Sequence, residues 1–174
     1  MQKIPHRATL AATALFVLTG SAIAHEDIHT RLKGYEEVPA VSSGAIGRFK
    51  ANIDKASQTI RFEISYSGLE GTVTQSHIHI GQRGVNGGIT IWLCQTGTNP
   101  APIASTPTCP QSGTVSGTLS ATDVTPNAGA IAQGIAATEF AEVLAAIRAG
   151  AAYVNVHSSK FPGGEIRGQL RDDD

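Results

Sequence analysis

The sequence predicts an all-β domain, an antiparallel Greek-key β-sandwich carrying one surface α-helix at about residues 138–149. Three observations lead there. Short segments alternate apolar and polar residues with period two, glycine-rich turns separate them, and only one stretch carries a helical apolar stripe. The alternation begins at Gly44 to Ile53 and continues at Thr59 to Tyr66, where Ile60, Phe62, Ile64 and Tyr66 oppose Arg61, Glu63 and Ser65. The polar run Asp54 to Gln58 between them makes the pair a hairpin. Val73 to Ile80 reads as the next strand, followed by the glycine-rich loop Gly81 to Gly88. Ile89 to Leu93 and Gly113 to Ser120 are further short strands, and Ala121 to Ala137, rich in Ala and Gly, reads as a long connection.

The helix is expected to open at Thr138 as N-cap, with Glu139 and Glu142 in the first turn where negative charge suits the helix dipole. Phe140, Val143, Leu144 and Ile147 fall on one face, Arg148 sits in the last turn, and Gly150 ends the helix. The last strands are Ala151 to His157 and Glu165 to Arg171, joined by Ser158 to Gly164. In the final strand Ile166, Gly168 and Leu170 face the core, which puts Glu165, Arg167 and Gln169 on the other face.

The N-terminus bears on the compartment. Lys3, His6 and Arg7 precede the apolar stretch Ala8 to Val17, and Ala22-Ile23-Ala24 offers a small-x-small cleavage site. Residues 1–24 therefore read as a signal peptide, in preference to an uncleaved anchor, and residues 25–174 as one exported domain, periplasmic or extracellular. No later stretch is apolar and long enough to span a bilayer, so no membrane contact is expected after cleavage. The chain has 13 Lys and Arg against 14 Asp and Glu; loss of Lys3 and Arg7 leaves a net charge near −3. With its basic residues scattered along the sequence, the chain lacks the electrostatic footprint of a nucleic-acid binder. Cys94 and Cys109 are the only cysteines. In an oxidising compartment they are most simply a disulfide; a thiolate metal site is the alternative, although their spacing fits no zinc-ribbon pattern.

The chemistry concentrates in Ser76-His77-Ile78-His79-Ile80-Gly81. Histidines two apart on a strand share a face, so His77 and His79 converge while Ile78 and Ile80 enter the core. Tyr153-Val154-Asn155-Val156-His157 has the same construction, with His157 in the outward phase. If the two strands are neighbours, three imidazoles meet, and that is the outline of a metal site. A solvated or hydrogen-bonded histidine pair is the plainer alternative. Copper is the expected ion, since an N-rich donor set favours it over zinc. The fourth ligand is expected to be water or the N-terminal arm, because cleavage after Ala24 would make His25 the first residue. Asn155 and Gln169 are either donors that orient the rings or plain surface polarity, and the second is preferred. Glu165 and Arg167 read equally as an exposed charge pair or as an anion guide.

Several of these runs carry a resemblance. Gly34-Tyr35-Glu36-Glu37-Val38-Pro39, His77-Ile78-His79-Ile80-Gly81 with Gly84-Val85-Asn86-Gly87, Tyr153 to Ser158, and Pro162-Gly163-Gly164-Glu165-Ile166-Arg167-Gly168-Gln169 together resemble the CHRD domain, named after chordin. The resemblance covers essentially the whole mature chain and implies an exported β-sandwich. A weaker likeness is to the copper/zinc superoxide dismutases. By motif it implies a superoxide-dismutase-like sandwich in which His77 and His79 are paired copper ligands, His157 a late ligand and Arg167 the guide for superoxide or another small anion. There is no histidine between His79 and His157, so that family's bridging ligand and zinc site have no counterpart. Three readings follow: a copper site with redox chemistry toward superoxide, a copper carrier or buffer without turnover, and a non-catalytic structural or protein-interaction module of the cell envelope. Zinc hydrolysis ranks below them for want of a general base.

Overall fold

The structure is a computed structural model and describes residues 25–171; the signal peptide expected over residues 1–24 lies outside them. Eight strands follow in order: β1 His25–Lys33, β2 Ile46–Asp54, β3 Thr59–Ser67, β4 Val73–Ile80, β5 Ile89–Cys94, β6 Gly113–Leu119, β7 Ala152–Ser158 and β8 Ile166–Gln169. They form one antiparallel sheet in the order β5-β4-β7-β8-β1-β2-β3-β6. The sheet curls until its edge strands β5 and β6 come within 8 Å, Cα to Cα, so it is a nearly closed barrel. Around that barrel the sequence β7-β4-β5-β6 sets three consecutive strands with the fourth beside the first, which is a Greek key. The all-β antiparallel expectation therefore holds, with the two layers of the sandwich supplied by opposite halves of one sheet.

Alternation explains the core. Ile28 and Leu32 of β1, Phe49, Ala51 and Ile53 of β2, and Ile60, Phe62 and Ile64 of β3 are buried inside, joined by Ile78, Ile91, Leu93, Val154, Val156 and Ile166. The stretch before residue 44, without strand assignment from the sequence, is the nine-residue β1, paired with β2 along its whole length. Its outward residues Asp27, His29, Arg31 and Lys33 are all polar, which leaves only Ile28 and Leu32 as apolar signal.

The helix α2 spans Phe140–Arg148, shorter than expected, and its buried face is the predicted Phe140, Val143, Leu144 and Ile147. Thr138 is not its N-cap. That residue takes a left-handed φ of 67°, and Glu139 precedes the first turn instead. A short helix, α1 Ala128–Ala132, lies within the expected connection, where the Asn127 side chain accepts from Ala130 N–H at 3.0 Å. Cys94 and Cys109 form a disulfide across 15 residues, which stabilises by about 3 kcal/mol in the chain-entropy picture. Among the described residues no helix is long and apolar enough to cross a membrane.

Candidate metal centre

β4 and β7 are hydrogen-bonded neighbours, with His77 opposite Asn155, His79 opposite Tyr153, and Gln75 opposite His157. Period-two alternation then sends His77, His79 and His157 to the face opposite Ile78, Val154 and Val156. One potential ligand atom from each histidine lies within 4.8 Å of the others. The expected convergence of the three rings holds. Their expected exposure does not: His77 is 0% exposed, and His79 and His157 are 5% each.

Other side chains and two loops cover this face. Trp92 of β5 meets His77 edge-on, centroids 4.3 Å apart, and Tyr153 stacks flat on His79 at 4.6 Å. The Arg167 guanidinium lies 3.4 Å above the Tyr153 ring. It donates to the carbonyls of Gln82 and Val85 and to Asn86 Oδ1, pinning the loop 81–88 over the rings. Asn86 Nδ2 in turn donates to Val38 O, and Arg83 pairs with Glu36, so the segment after β1 is tied to the same loop. Glycine is required where this loop closes: a Cβ on Gly87 would stand 1.5 Å from Ile80 O.

Counting protons in the cluster exposes a shortage. His79 Nδ1–H donates to Gly87 O at 3.0 Å, and His157 Nδ1–H donates to Pro162 O at 2.8 Å. A neutral imidazole carries one N–H, so both Nε2 atoms hold lone pairs. Both Nε2 atoms nevertheless face Asn155 Oδ1, at 3.0 Å each. The Asn155 side chain also lies against the Glu37 carboxyl, so its amide stands between that acid and the two rings. His77 Nδ1 stands 3.2 Å from His157 Nε2, and His77 Nε2 has no partner. With the Asn155 oxygen turned to the rings, acceptors face acceptors with too few protons between them. A bound cation would satisfy this arrangement, and the backbone carbonyls on His79 and His157 are the outer partners that hold metal-ligating imidazoles in one tautomer.

Electrostatics keep the rings in the form a metal requires. Burial, reinforced by the neighbouring His157 and His79, holds the His77 pKa well below the usual histidine range. Burial lowers that of His79 to about 4, against the hydrogen bond to Gly87, and burial also lowers that of His157. Glu37 moves the other way, pushed up to about 7 by burial against the pull of Arg167 and the Asn155 amide, and its Oε1 has no partner.

A pH dependence follows for the metal-free protein. The histidines titrate lower folded than unfolded, so their contribution is full above pH 6.5 and is lost as pH falls below it. Glu37 titrates higher folded, so its contribution is full below pH 4.5 and is lost as pH rises toward 7. The histidines outnumber it, so stability declines on acidification from pH 7 to 5, by about 1.4 kcal/mol per pH unit for each proton of difference. Urea midpoints across this range check the decline, and Glu37→Gln is expected to steepen it. A flat profile contradicts the burial argument.

Several sequence readings change in this setting. Asn155 and Gln169 are not surface polarity: Asn155 bridges two rings, and Gln169 Nε2 donates to the carbonyls of Gly81, Gly150 and Ala152 at 2.8 Å each. Glu165 and Arg167 are not an exposed charge pair. Glu165 is buried and accepts from Ser43 Oγ and Glu70 N, while Arg167 is 1% exposed. His25, expected as a fourth ligand, has a backbone position opposite Asp54, whereas Lys33 at the other end of β1 is the residue opposite Arg167. Eight residues of strand separate those ends, roughly 26 Å. Glu37 and Trp92 were missed as site neighbours; Glu37 lay within the Gly34 to Pro39 motif, while Trp92 enters only through the β4–β5 pairing.

Comparison with known proteins gives one positive finding. The family model described as the CHRD domain matches residues 28–170. No curated protein and no solved structure matches the chain.

Proposed function

We propose that this chain, which belongs to the CHRD-domain family, binds one copper ion through His77, His79 and His157, with Asn155 Oδ1 as the fourth donor. The observation that carries this reading is the proton-poor meeting of the His79 and His157 Nε2 lone pairs with the Asn155 oxygen. Copper is preferred to zinc because three neutral imidazoles rank copper higher in the Irving-Williams order. Bound copper supplies one-electron redox chemistry.

The chain's own residues hold rather than expose the site. Gly87 O and Pro162 O fix the tautomers, Glu37 lies against Asn155, and Arg167 pins the covering loop. Burial of every ring supports a carrier or buffer that retains copper, ahead of turnover of superoxide. Arg167 belongs to that cover in this reading, since its guanidinium is engaged by loop carbonyls and not presented to an approaching anion. Export is part of the proposal, and the Cys94–Cys109 disulfide supports an oxidising compartment.

The single tryptophan reports on the site directly, because Trp92 touches His77. Titrating the mature, metal-free protein with Cu(II) is expected to quench its fluorescence to an endpoint at one equivalent, while an assay of superoxide consumption stays at background. Quenching without a stoichiometric endpoint contradicts the site, and turnover with an intact endpoint returns the redox reading.

A further inference from the structure

A second feature lies on the outer face of β1, β2 and β3, away from the histidines. Strand register sets Arg31 directly opposite Arg48, with Lys33 and Lys50 one alternate position away on their own strands; Arg61 stands further along β3, opposite Asn52. All five side chains are exposed. Alternate residues of a strand are about 6.7 Å apart and neighbouring strands about 4.8 Å, so the first four occupy one compact patch. Asp27, Asp54 and Glu63 are the acidic residues on the same face; Asn52 donates to Asp27, Asp54 lies at the far end of β2, and Glu63 stands directly opposite Lys50.

Elsewhere among the described residues four basic side chains are paired with acids. Lys55 and Arg148 meet Glu26, Arg83 meets Glu36, and Lys160 meets Glu70. Among the described residues, no ion pair or side-chain hydrogen bond engages Arg31, Lys33, Arg48, Lys50 or Arg61. Like charges directly opposite on a sheet are destabilising, and folding returns nothing for setting Arg31 against Arg48. Two grooves of about 520 and 570 Å³ flank the pair and share both arginines as walls. The fold thus gathers Arg31, Lys33, Arg48 and Lys50 from the scattered basic residues into one predominantly basic strip, with Glu63 at its β3 side and Asp27 in the wall of one groove.

We propose that this face binds an acidic polysaccharide, an extended chain of carboxylate- or sulfate-bearing sugars laid along the grooves across Arg31 and Arg48. Charge complementarity carries the choice of a polyanion, and the run of the grooves on both sides of the arginine pair suits an extended chain. The outward positions of the three strands hold no Phe, Tyr or Trp, so the face lacks the large stacking platforms of single-stranded nucleic-acid binders. Ile46 is the single large apolar residue exposed there, which is too little for insertion into a lipid surface.

The test uses the mature protein and immobilised polyuronate, with a sulfated polysaccharide in a second arm and duplex DNA in a third. Retention is expected on at least one polysaccharide at 50 mM salt and to be lost as salt rises, the first two arms deciding between carboxylate and sulfate. Arg31→Gln with Arg48→Gln is expected to weaken binding at least tenfold, to raise the melting temperature without polymer, and to leave copper stoichiometry unchanged. Lys33→Gln with Lys50→Gln gives a second variant with the same expected direction of binding. Absence of retention, undiminished binding by both variants, or equal retention on DNA overturns the proposal.

Discussion

Replacing His79 and His157 together by leucine is expected to abolish stoichiometric copper binding, lowering affinity by more than about 100-fold. These two rings supply the Nε2 atoms that face Asn155 Oδ1, and their Nδ1 atoms are already committed to Gly87 and Pro162. Removing them deletes two donors and leaves His77 with the amide oxygen alone. Leucine keeps most of the volume, so the barrel is expected to fold; the change removes unsatisfied Nε2 acceptors from the interior and, against that, the N–H donors to Gly87 O and Pro162 O. Metal content after dialysis reads the first effect and a urea midpoint the second. A folded variant that retains one equivalent of copper places the metal elsewhere.

Arg167 gives the second large effect. Arg167→Met is expected to destabilise the protein by about 3 kcal/mol, because the carbonyls of Gln82 and Val85 and the Asn86 amide oxygen lose a buried, charged donor. The covering loop 81–88 then loosens, and hydrogen exchange is expected to rise first at residues 82–88. Copper dissociation quickens with it. Arg167→Lys is not expected to restore either property, since an ammonium cannot span three acceptors while lying flat on Tyr153. A guide for a passing anion would behave differently. Lysine would then preserve stability and cover, and only the salt dependence of a reaction rate would change.

The alternation of Ile78 and Ile80 with His77 and His79, and of Val154 and Val156 with Asn155 and His157, was sufficient to place three rings on one face of adjacent strands. It could not tell that this face is covered. Exposure is set by what lies above the sheet, here Trp92 from the neighbouring strand and a loop held by Arg167, and neither follows from the local period of β4 or β7. The same limit explains Asn155, whose residue type suits a surface strand, and Glu37, whose partner is 118 residues away in the chain. β1 was illegible for a different reason: its outward residues are charged, and two buried aliphatics in nine positions make a weak strand pattern. α1 rests on one side-chain cap and on packing against the loop at Gly88, whose Cβ would stand 1.9 Å from Ala130 N. Charge, too, was read as scattered until strand pairing aligned Arg31 with Arg48.

The most direct test of the copper site is metal analysis of the mature protein after titration with Cu(II) and dialysis, followed by electron paramagnetic resonance. The expected result is one retained copper whose spectrum carries hyperfine structure from three imidazole nitrogens. Absence of retained stoichiometric metal, or a spectrum without histidine nitrogen, contradicts it and leaves His77, His79 and His157 as a hydrogen-bonded buried cluster.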